Sequence, residues 1–185
     1  EDQAAAMLAM AEVHPDSVWN ATWWADPVVL GHYPAAGLEA YGSAVPKFTD
    51  AEMRTICQPL DFYGCNVYSN GIVKAGPDGS PVAAPLPAGH PHTHFMWAMT
   101  PDALYWTPKF LQERYKLPIV ITENGLSHAD WVADDGRVHD AGRIDFLGKY
   151  LRQLHRAIAE GVDVQGYFHW SLMDNFECGE GYKHR

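Results

Sequence analysis

The sequence has few positive charges and no long apolar run. Its 185 residues include 13 Lys and Arg against 23 Asp and Glu, which gives a formal net charge of -10. A field of that sign repels phosphate and argues against nucleic acid as the main partner. No apolar stretch approaches the roughly 18 to 20 residues that a membrane-spanning helix needs, so a membrane role is not expected either.

Cysteine is also scarce. The three cysteines, Cys57, Cys65 and Cys178, are odd in number and form no Cys-x-x-Cys pair. This usage favours a reducing compartment, and we expect a cytoplasmic protein. Apolar residues, by contrast, are plentiful: 47% of the chain is hydrophobic, which is enough to bury a sizeable core.

Three segments rich in apolar and aromatic residues predict buried strands, over 60–68, 118–125 and 162–171. Residues 69–94 contain many Pro and Gly and little periodicity, which predicts a long surface loop. The order of strands and intervening helices indicates parallel strands joined by helical crossovers, an α/β arrangement. Such strands fit a doubly wound sheet or a barrel, and the pattern alone leaves both open.

Helices are predicted between and before these strands. The Ala-rich run 2–11 favours a helix, and residues 18–34 after it are predicted as a structured loop. Thr49 and Glu52 form a capping box that begins a short helix, whereas Pro108 is expected to break or restart a later one. The clearest helical period follows Asp140 and is carried by Ile144, Leu147, Leu151, Leu154 and Ile158.

Glu123 ends the second predicted strand. A carboxylate at the end of an apolar strand is partly desolvated and held on a rigid element, as a nucleophile needs to be. The other interpretation is that Glu123 belongs to a turn or caps the next segment. The chain also has 7 Trp and 9 Tyr, whose flat faces and polar handles suit sugar binding as well as core packing.

Two motifs in this region resemble the C-terminal part of family 1 glycoside hydrolases, the β-glucosidase family. They are Ile-Thr-Glu-Asn-Gly at 121–125 and Gly-Tyr-Phe-His-Trp-Ser-Leu-Met-Asp-Asn-Phe-Glu at 166–177, with Gly181 and Tyr182 following. The similarity covers nearly the whole chain. It implies a (β/α)8 TIM barrel of which this chain carries about the last three strands, as a partial single catalytic domain over 1–185.

The resemblance also implies a retaining mechanism. Glu123 matches the nucleophile, which attacks the anomeric carbon of a β-glucoside or oligosaccharide and forms a covalent glycosyl-enzyme that water then releases. Tyr68 matches the tyrosine whose hydroxyl contacts that carboxylate. Asn66, two residues earlier, matches an asparagine that helps to build the sugar site. No cofactor is implied.

Three further residues match sugar-contacting positions of the family. Trp170 corresponds to the tryptophan on which the sugar ring stacks, and Glu177 to a carboxylate that binds sugar hydroxyls. Trp97 resembles a tryptophan at the leaving-group subsite. Cys178 departs from the pattern, because the family normally has Trp there, and a thiol is a poor substitute for an indole N–H donor.

The family's acid/base glutamate lies in a Thr-x-Asn-Glu-Pro motif on an earlier strand, and this sequence contains no such motif. We therefore expect the acid/base to come from an N-terminal part of the same barrel that is not included in this chain. One alternative is a catalytically silent sugar-binding fragment. Another is a metal site at His90, His92 and His94, although a Pro-containing surface loop explains these residues more simply.

Overall fold

The computed structural model describes residues 1–17 and 20–184. Val18, Trp19 and Arg185 lie outside the described residues, so the start of the predicted loop at 18–34 does too. The chain divides into two compact units, one of Glu1–Asp61 with Gly71–Pro85 and the other of Phe62–Asn70 with Leu86–Arg185. Within the described ranges, no helix combines the length and the apolar character needed to cross a membrane.

In chain order, the α-helices and strands of the described residues are α1 (Asp2–Ala11), α2 (Ala21–Val29), α3 (Ala35–Tyr41), α4 (Asp50–Ile56), β1 (Tyr63–Asn66), β2 (Ile72–Ala75), β3 (Pro81–Ala84), α5 (Ala103–Tyr115), β4 (Ile119–Asn124), α6 (Ala141–Ala159) and β5 (Val164–His169), and a short 3-10 helix (Gly42–Ala44) follows α3.

The first unit contains α1 to α4 and a β-hairpin. The capping box predicted for α4 is confirmed: the Thr49 amide donates to Glu52 Oε2 (2.7 Å), and the Glu52 amide donates to Thr49 Oγ1 (3.2 Å). The prediction of a loop throughout 18–34 is wrong, because residues 21–29 form α2. Pro27 is tolerated inside this helix because it also carries Trp23 and Ala25, whose burial stabilises the helix through packing.

The expected loop over 69–94 is also wrong in part. β2 and β3 pair antiparallel there, with Ile72 opposite Ala84, and the turn between them contains Gly79 at a φ of +81 degrees, a backbone conformation that favours glycine. α1 packs on this hairpin, and Asp2 accepts a hydrogen bond from the Ala75 amide (2.8 Å). Packing against α1 therefore orders two strands that are too short for sequence alternation to reveal.

The second unit is built on a three-stranded parallel sheet in the order β1-β4-β5. Tyr63 pairs with Ile119, and Ile119 pairs with Val164 on the other side. α6 connects β4 to β5, so the predicted parallel strands with helical crossovers are confirmed. The parallel arrangement brings the carboxyl ends of all three strands to one edge of the sheet.

One face of this sheet is buried and the other is exposed. Ile119 and Ile121 share a face of β4 and are fully buried, and the ring of Tyr63 stacks on Tyr115 of α5 (centroids 5.2 Å apart). On the opposite face Thr122 is exposed, and Phe168 has 61% of its surface exposed. The core of this unit therefore lies between the sheet and its helices.

Two helical predictions need correction. α5 continues through Pro108, which is fully buried, because the surrounding helix face packs against the core and compensates for the lost amide donor. The helix predicted after Asp140 is confirmed as α6, but the apolar stripe that predicted it is buried only in part: Leu154 is buried, whereas Ile144 is 66% exposed. Phe146 and Tyr150 are fully buried instead and stack at 3.8 Å, because two aromatic rings bury more surface than the aliphatic stripe.

Candidate active site

An open cavity of about 910 Å³ lies at the carboxyl ends of β4 and β5. Cavities that hold small ligands usually measure about 300 to 1,000 Å³, so its size suits a sugar. Five of the six residues singled out in the sequence line it, namely Tyr68, Trp97, Glu123, Trp170 and Glu177. They come from separate chain segments that meet only because the strands are parallel and adjacent.

Glu123 and Tyr68 contact each other directly. The Tyr68 hydroxyl donates a hydrogen bond to Glu123 Oε2. Burial raises the pKa of the Tyr68 hydroxyl, and the hydrogen bond to Glu123 and the negative charges of Glu123 and Glu177 raise it further. Tyr68 therefore remains a neutral donor, and its hydrogen bond fixes one oxygen of the Glu123 carboxylate.

Trp170 and Glu177 form the second contact in the cavity. The Trp170 indole donates to Glu177 Oε1 (3.3 Å), and Nδ2 of the Asn175 side chain donates to the same oxygen (2.9 Å). The Ser171 hydroxyl in turn donates to Asn175 Oδ1 (2.9 Å). This network holds a flat indole face beside a carboxylate, which is an arrangement that can take a polar ring such as a sugar.

Trp97 lies beside Tyr68 at the edge of the cavity. Their ring centroids are 5.3 Å apart with an interplanar angle of 59 degrees, and the Phe95 ring also contacts Trp97, with centroids 5.3 Å apart. The Trp97 amide donates to Thr93 Oγ1 (3.3 Å). The indole thus contacts two aromatic rings while part of its surface remains exposed.

Asn66 is not brought into the cavity. It is exposed on the uncovered face of the sheet, where its Oδ1 accepts a hydrogen bond from the Thr122 hydroxyl (2.7 Å). A register shift between Cys65 and Asn66 interrupts the ladder with β4 at this point. The chain therefore turns Tyr68 toward Glu123 but leaves Asn66 beside Thr122.

Residues 4–185 match the model of Glycosyl hydrolase family 1. The chain belongs to this family. It is 41% identical over 161 residues to β-glucosidase A of Thermotoga maritima, covering 86% of this chain and 36% of that protein. It is 40% identical over 185 residues to a bifunctional β-D-glucosidase/β-D-fucosidase of Bifidobacterium breve, covering 86% of this chain and 39% of that protein.

Solved structures of family 1 enzymes match the fold as well. The Thermotoga maritima β-glucosidase in complex with castanospermine has a TM-score of 0.77 and 36% identity, covering 93% of this chain and 42% of the other. The same enzyme in complex with glucoimidazole has a TM-score of 0.77 and 40% identity, covering 89% and 37%. This family 1 chain thus has the fold of part of a TIM-barrel β-glucosidase and spans less than half the length of its relatives.

The cavity of this family 1 chain also contains a charged cluster that was not predicted from the sequence. Arg143 Nη1 contacts Asp130 Oδ1 (2.6 Å) and Asp140 Oδ1 (2.7 Å), and all three residues line the cavity. Burial lowers the pKa of Arg143, but its hydrogen bonds to the two carboxylates outweigh this and raise it. The spacing of three residues between Asp140 and Arg143 at the start of a helix could have predicted their ion pair. Asp130 lies in a loop, where no sequence spacing indicates a partner.

His169 also lines the cavity, near this cluster. Its pKa is lowered, mainly by burial and then by the positive charge of Arg143. The imidazole is therefore neutral at neutral pH. His169 lies within the motif at 166–177, but no separate role was predicted for it from the sequence.

The structure also bears on the two other features singled out in the sequence. Cys178 is exposed, lines the cavity and forms no disulfide. His90 Nε2 lies 3.0 Å from the Met99 carbonyl oxygen, and His92 Nδ1 lies 2.7 Å from that of His90. Among residues 1–17 and 20–184, no group of three or more His, Cys, Asp or Glu could hold a metal ion.

Proposed function

We propose that this chain is the nucleophile-bearing part of a retaining β-glycosidase that acts on β-glucosides or related oligosaccharides. One observation carries the proposal: the Tyr68 hydroxyl donates to the Glu123 carboxylate inside a cavity of suitable size at the ends of parallel strands. We further propose that residues 1–185 are part of a single catalytic domain and form about the last three strands of a (β/α)8 barrel. The exposed sheet face that carries Thr122 and Phe168 supports this, since it would face the barrel interior.

In the proposed mechanism Glu123 acts twice. Its carboxylate attacks the anomeric carbon as the bond from that carbon to the leaving oxygen breaks, and a general acid gives its proton to that oxygen. The general acid, now deprotonated, acts as a base and takes a proton from a water molecule. That water attacks the anomeric carbon of the glycosyl-enzyme and frees Glu123, so the sugar is released with its configuration retained. Tyr68 keeps the attacking carboxylate oriented, because it stays a neutral donor.

The sugar would be bound by the residues around Glu123. Trp170 offers its indole face to the apolar face of a pyranose, and Glu177 accepts hydrogen bonds from sugar hydroxyls. Trp97 would line the leaving-group side. Asn66 lies outside the described cavity, on the sheet face proposed to face the barrel interior, and from there it would donate to the sugar through its Nδ2, since its Oδ1 already accepts from Thr122.

The acid/base would come from an N-terminal part of the same barrel. The carboxylates of Asp130 and Asp140 are both paired with Arg143, and that of Glu180 lies 3.3 Å from His184, so these acids are already engaged. The substrate proposal draws on the Thermotoga maritima β-glucosidase, whose structures hold castanospermine and glucoimidazole. Those sugar-like inhibitors occupy an enzyme with the same fold.

A mechanism-based sugar tests this proposal in the full-length protein that contains this chain. A 2-deoxy-2-fluoro β-glucoside with a good leaving group should label Glu123 covalently, because the fluorine slows both steps through their oxocarbenium-like transition states, whereas the good leaving group restores only the formation of the glycosyl-enzyme. Peptide mass mapping locates the label. The matched control is Glu123→Gln, which keeps the size of the side chain, removes the nucleophile and should abolish labelling. A label on another carboxylate would refute the role of Glu123.

A catalytically silent sugar-binding fragment is the second candidate. The preassembled contact between Trp170, Glu177 and Asn175 favours it, since this network is complete within the chain. The same experiment separates the two functions. Binding of the fluoro-sugar without labelling of Glu123 would support the binding fragment and exclude the enzyme.

A further inference from the structure

Asn124, directly after Glu123, is a fully buried polar residue at the end of β4. Burying an amide costs free energy unless its groups are hydrogen-bonded. Both ends of this side chain are satisfied: Nδ2 donates to the Val67 carbonyl oxygen (2.8 Å), and Oδ1 accepts from the Tyr167 hydroxyl (2.9 Å). The amide therefore links all three strands of the sheet.

On the β1 side, these bonds fix the residue before Tyr68. The Val67 amide donates to the Glu123 carbonyl oxygen (2.9 Å), and the Val67 carbonyl oxygen accepts from Asn124. Both backbone polar groups of Val67 are thus held by consecutive residues of β4. The position of Tyr68 relative to Glu123 follows from these two bonds, because Tyr68 is the next residue along the chain.

On the β5 side, Asn124 holds the segment that carries Trp170. The Trp170 amide donates to the Asn124 carbonyl oxygen (2.8 Å), and Tyr167 bonds to the side chain. The two strand ends also come very close: a Cβ on Gly125 would lie 1.8 Å from the Trp170 carbonyl oxygen. The sugar-stacking residue and the nucleophile are therefore fixed relative to one another at Asn124 and Gly125.

The side chain of Asn124 acts where the regular sheet pairing fails. The register between β1 and β4 shifts at Cys65/Asn66, and that between β4 and β5 shifts between Ile121 and Asn124. Irregularities of this kind re-aim side chains and interrupt ladder hydrogen bonds. The Asn124 amide supplies fixed bonds at this point, so its role goes beyond filling the core.

We propose that Asn124 is a positioning residue for the proposed glycosidase reaction, holding the ends of β1, β4 and β5 so that Tyr68, Glu123 and Trp170 share one geometry. This inference rests on the proposed function, since it assigns Asn124 an effect on the nucleophile. Asn124 does not touch the reacting atoms. It acts through Val67 on Tyr68 and through the backbone on Glu123 and Trp170.

The test measures how fast the fluoro-glucoside labels Glu123 at saturating concentration in the full-length protein. Tyr167→Phe removes one hydrogen bond to Asn124, keeps the ring, and should slow labelling several-fold. Asn124→Leu removes both side-chain hydrogen bonds of Asn124 and should slow labelling roughly 100-fold, as expected when the reacting groups are misplaced by about 1 Å. The matched control is Ile121→Val, a buried change on the same strand without a contact to the amide, which should lower thermal stability but leave the labelling rate within about two-fold.

A double-mutant cycle with Tyr68→Phe separates positioning from a purely structural role. If Asn124 acts through Tyr68, Asn124→Leu and Tyr167→Phe will slow labelling much less in the Tyr68→Phe background than in the wild type. Additive losses, or a wild-type labelling rate in folded Tyr167→Phe, would overturn the inference, even if Asn124→Leu did not fold. Absence of labelling in the wild type would instead overturn the proposed function.

Discussion

The hydroxyl of Tyr150 provides a quantitative test of how the core supports the site. Tyr150 is a fully buried residue of α6, and its hydroxyl donates to the Tyr68 carbonyl oxygen (3.0 Å) and accepts from the Thr100 amide (2.9 Å). Burial raises its pKa to about 12, so the group stays protonated. Tyr150→Phe removes one oxygen and leaves two backbone groups without these partners.

The cost of this change follows from the burial of each group. A net hydrogen bond contributes about 1 kcal/mol, and a buried group left unsatisfied costs roughly 1 to 3 kcal/mol. Thr100 is buried, so its amide bears the full penalty, whereas Tyr68 is half-buried and water can replace part of its lost bond. We expect Tyr150→Phe to lower the free energy of unfolding by about 2 to 4 kcal/mol.

Urea denaturation of the full-length protein, followed by tryptophan fluorescence, measures this change. The matched control is Tyr182→Phe, because Tyr182 is 78% exposed and the substitution should stay within about 0.5 kcal/mol of the wild type. A loss below about 0.5 kcal/mol for Tyr150→Phe, with an unchanged m-value, would refute the reasoning. It would mean that Thr100 and Tyr68 find other partners at no cost.

Three other outcomes are expected. The pKa of Glu160 is lowered to about 2, chiefly by the hydrogen bond from Lys109. The ionised carboxylate therefore stabilises the fold above about pH 4.5, and this stabilisation should fade as the pH falls toward 2. Urea titrations over this pH range should show that Glu160→Gln is less stable than the wild type at the upper end and equally stable at the lower end. Gly125→Ala should impair folding or abolish labelling by the fluoro-glucoside, because the added Cβ would clash with the Trp170 carbonyl oxygen. Gly71→Ala is the control, since a Cβ there meets nothing within 4 Å. Equal behaviour of the two variants in thermal melts and labelling would contradict this prediction. The isolated 185-residue chain should be neither a stable monomer nor active because one sheet face is uncovered, and turnover of an aryl β-glucoside by that chain alone would disprove it.

Local patterns in the sequence were sufficient for the elements that carry the site. The apolar run ending in Glu123 predicted β4, and the crossover order predicted parallel strands, because strand formation and connection rules depend on short segments. The Thr49 and Glu52 pair predicted the start of α4 for the same reason, since both capping bonds form within four residues. The motifs at 121–125 and 166–177 together also carried the family assignment that the comparisons confirm.

Contacts between distant residues decided the rest. The chain's own sequence determined that a carboxylate would end a buried strand, and the family resemblance implied that the Tyr68 hydroxyl would contact it, as it does in the structure. Only the tertiary structure left Asn66 beside Thr122 and joined Asn124 to its neighbouring strands. A hydrogen-bond partner 55 residues away leaves no local pattern, because neither side chain's type or spacing specifies the other. The sequence thus determined the chemistry available at each strand end, and packing decided which groups meet.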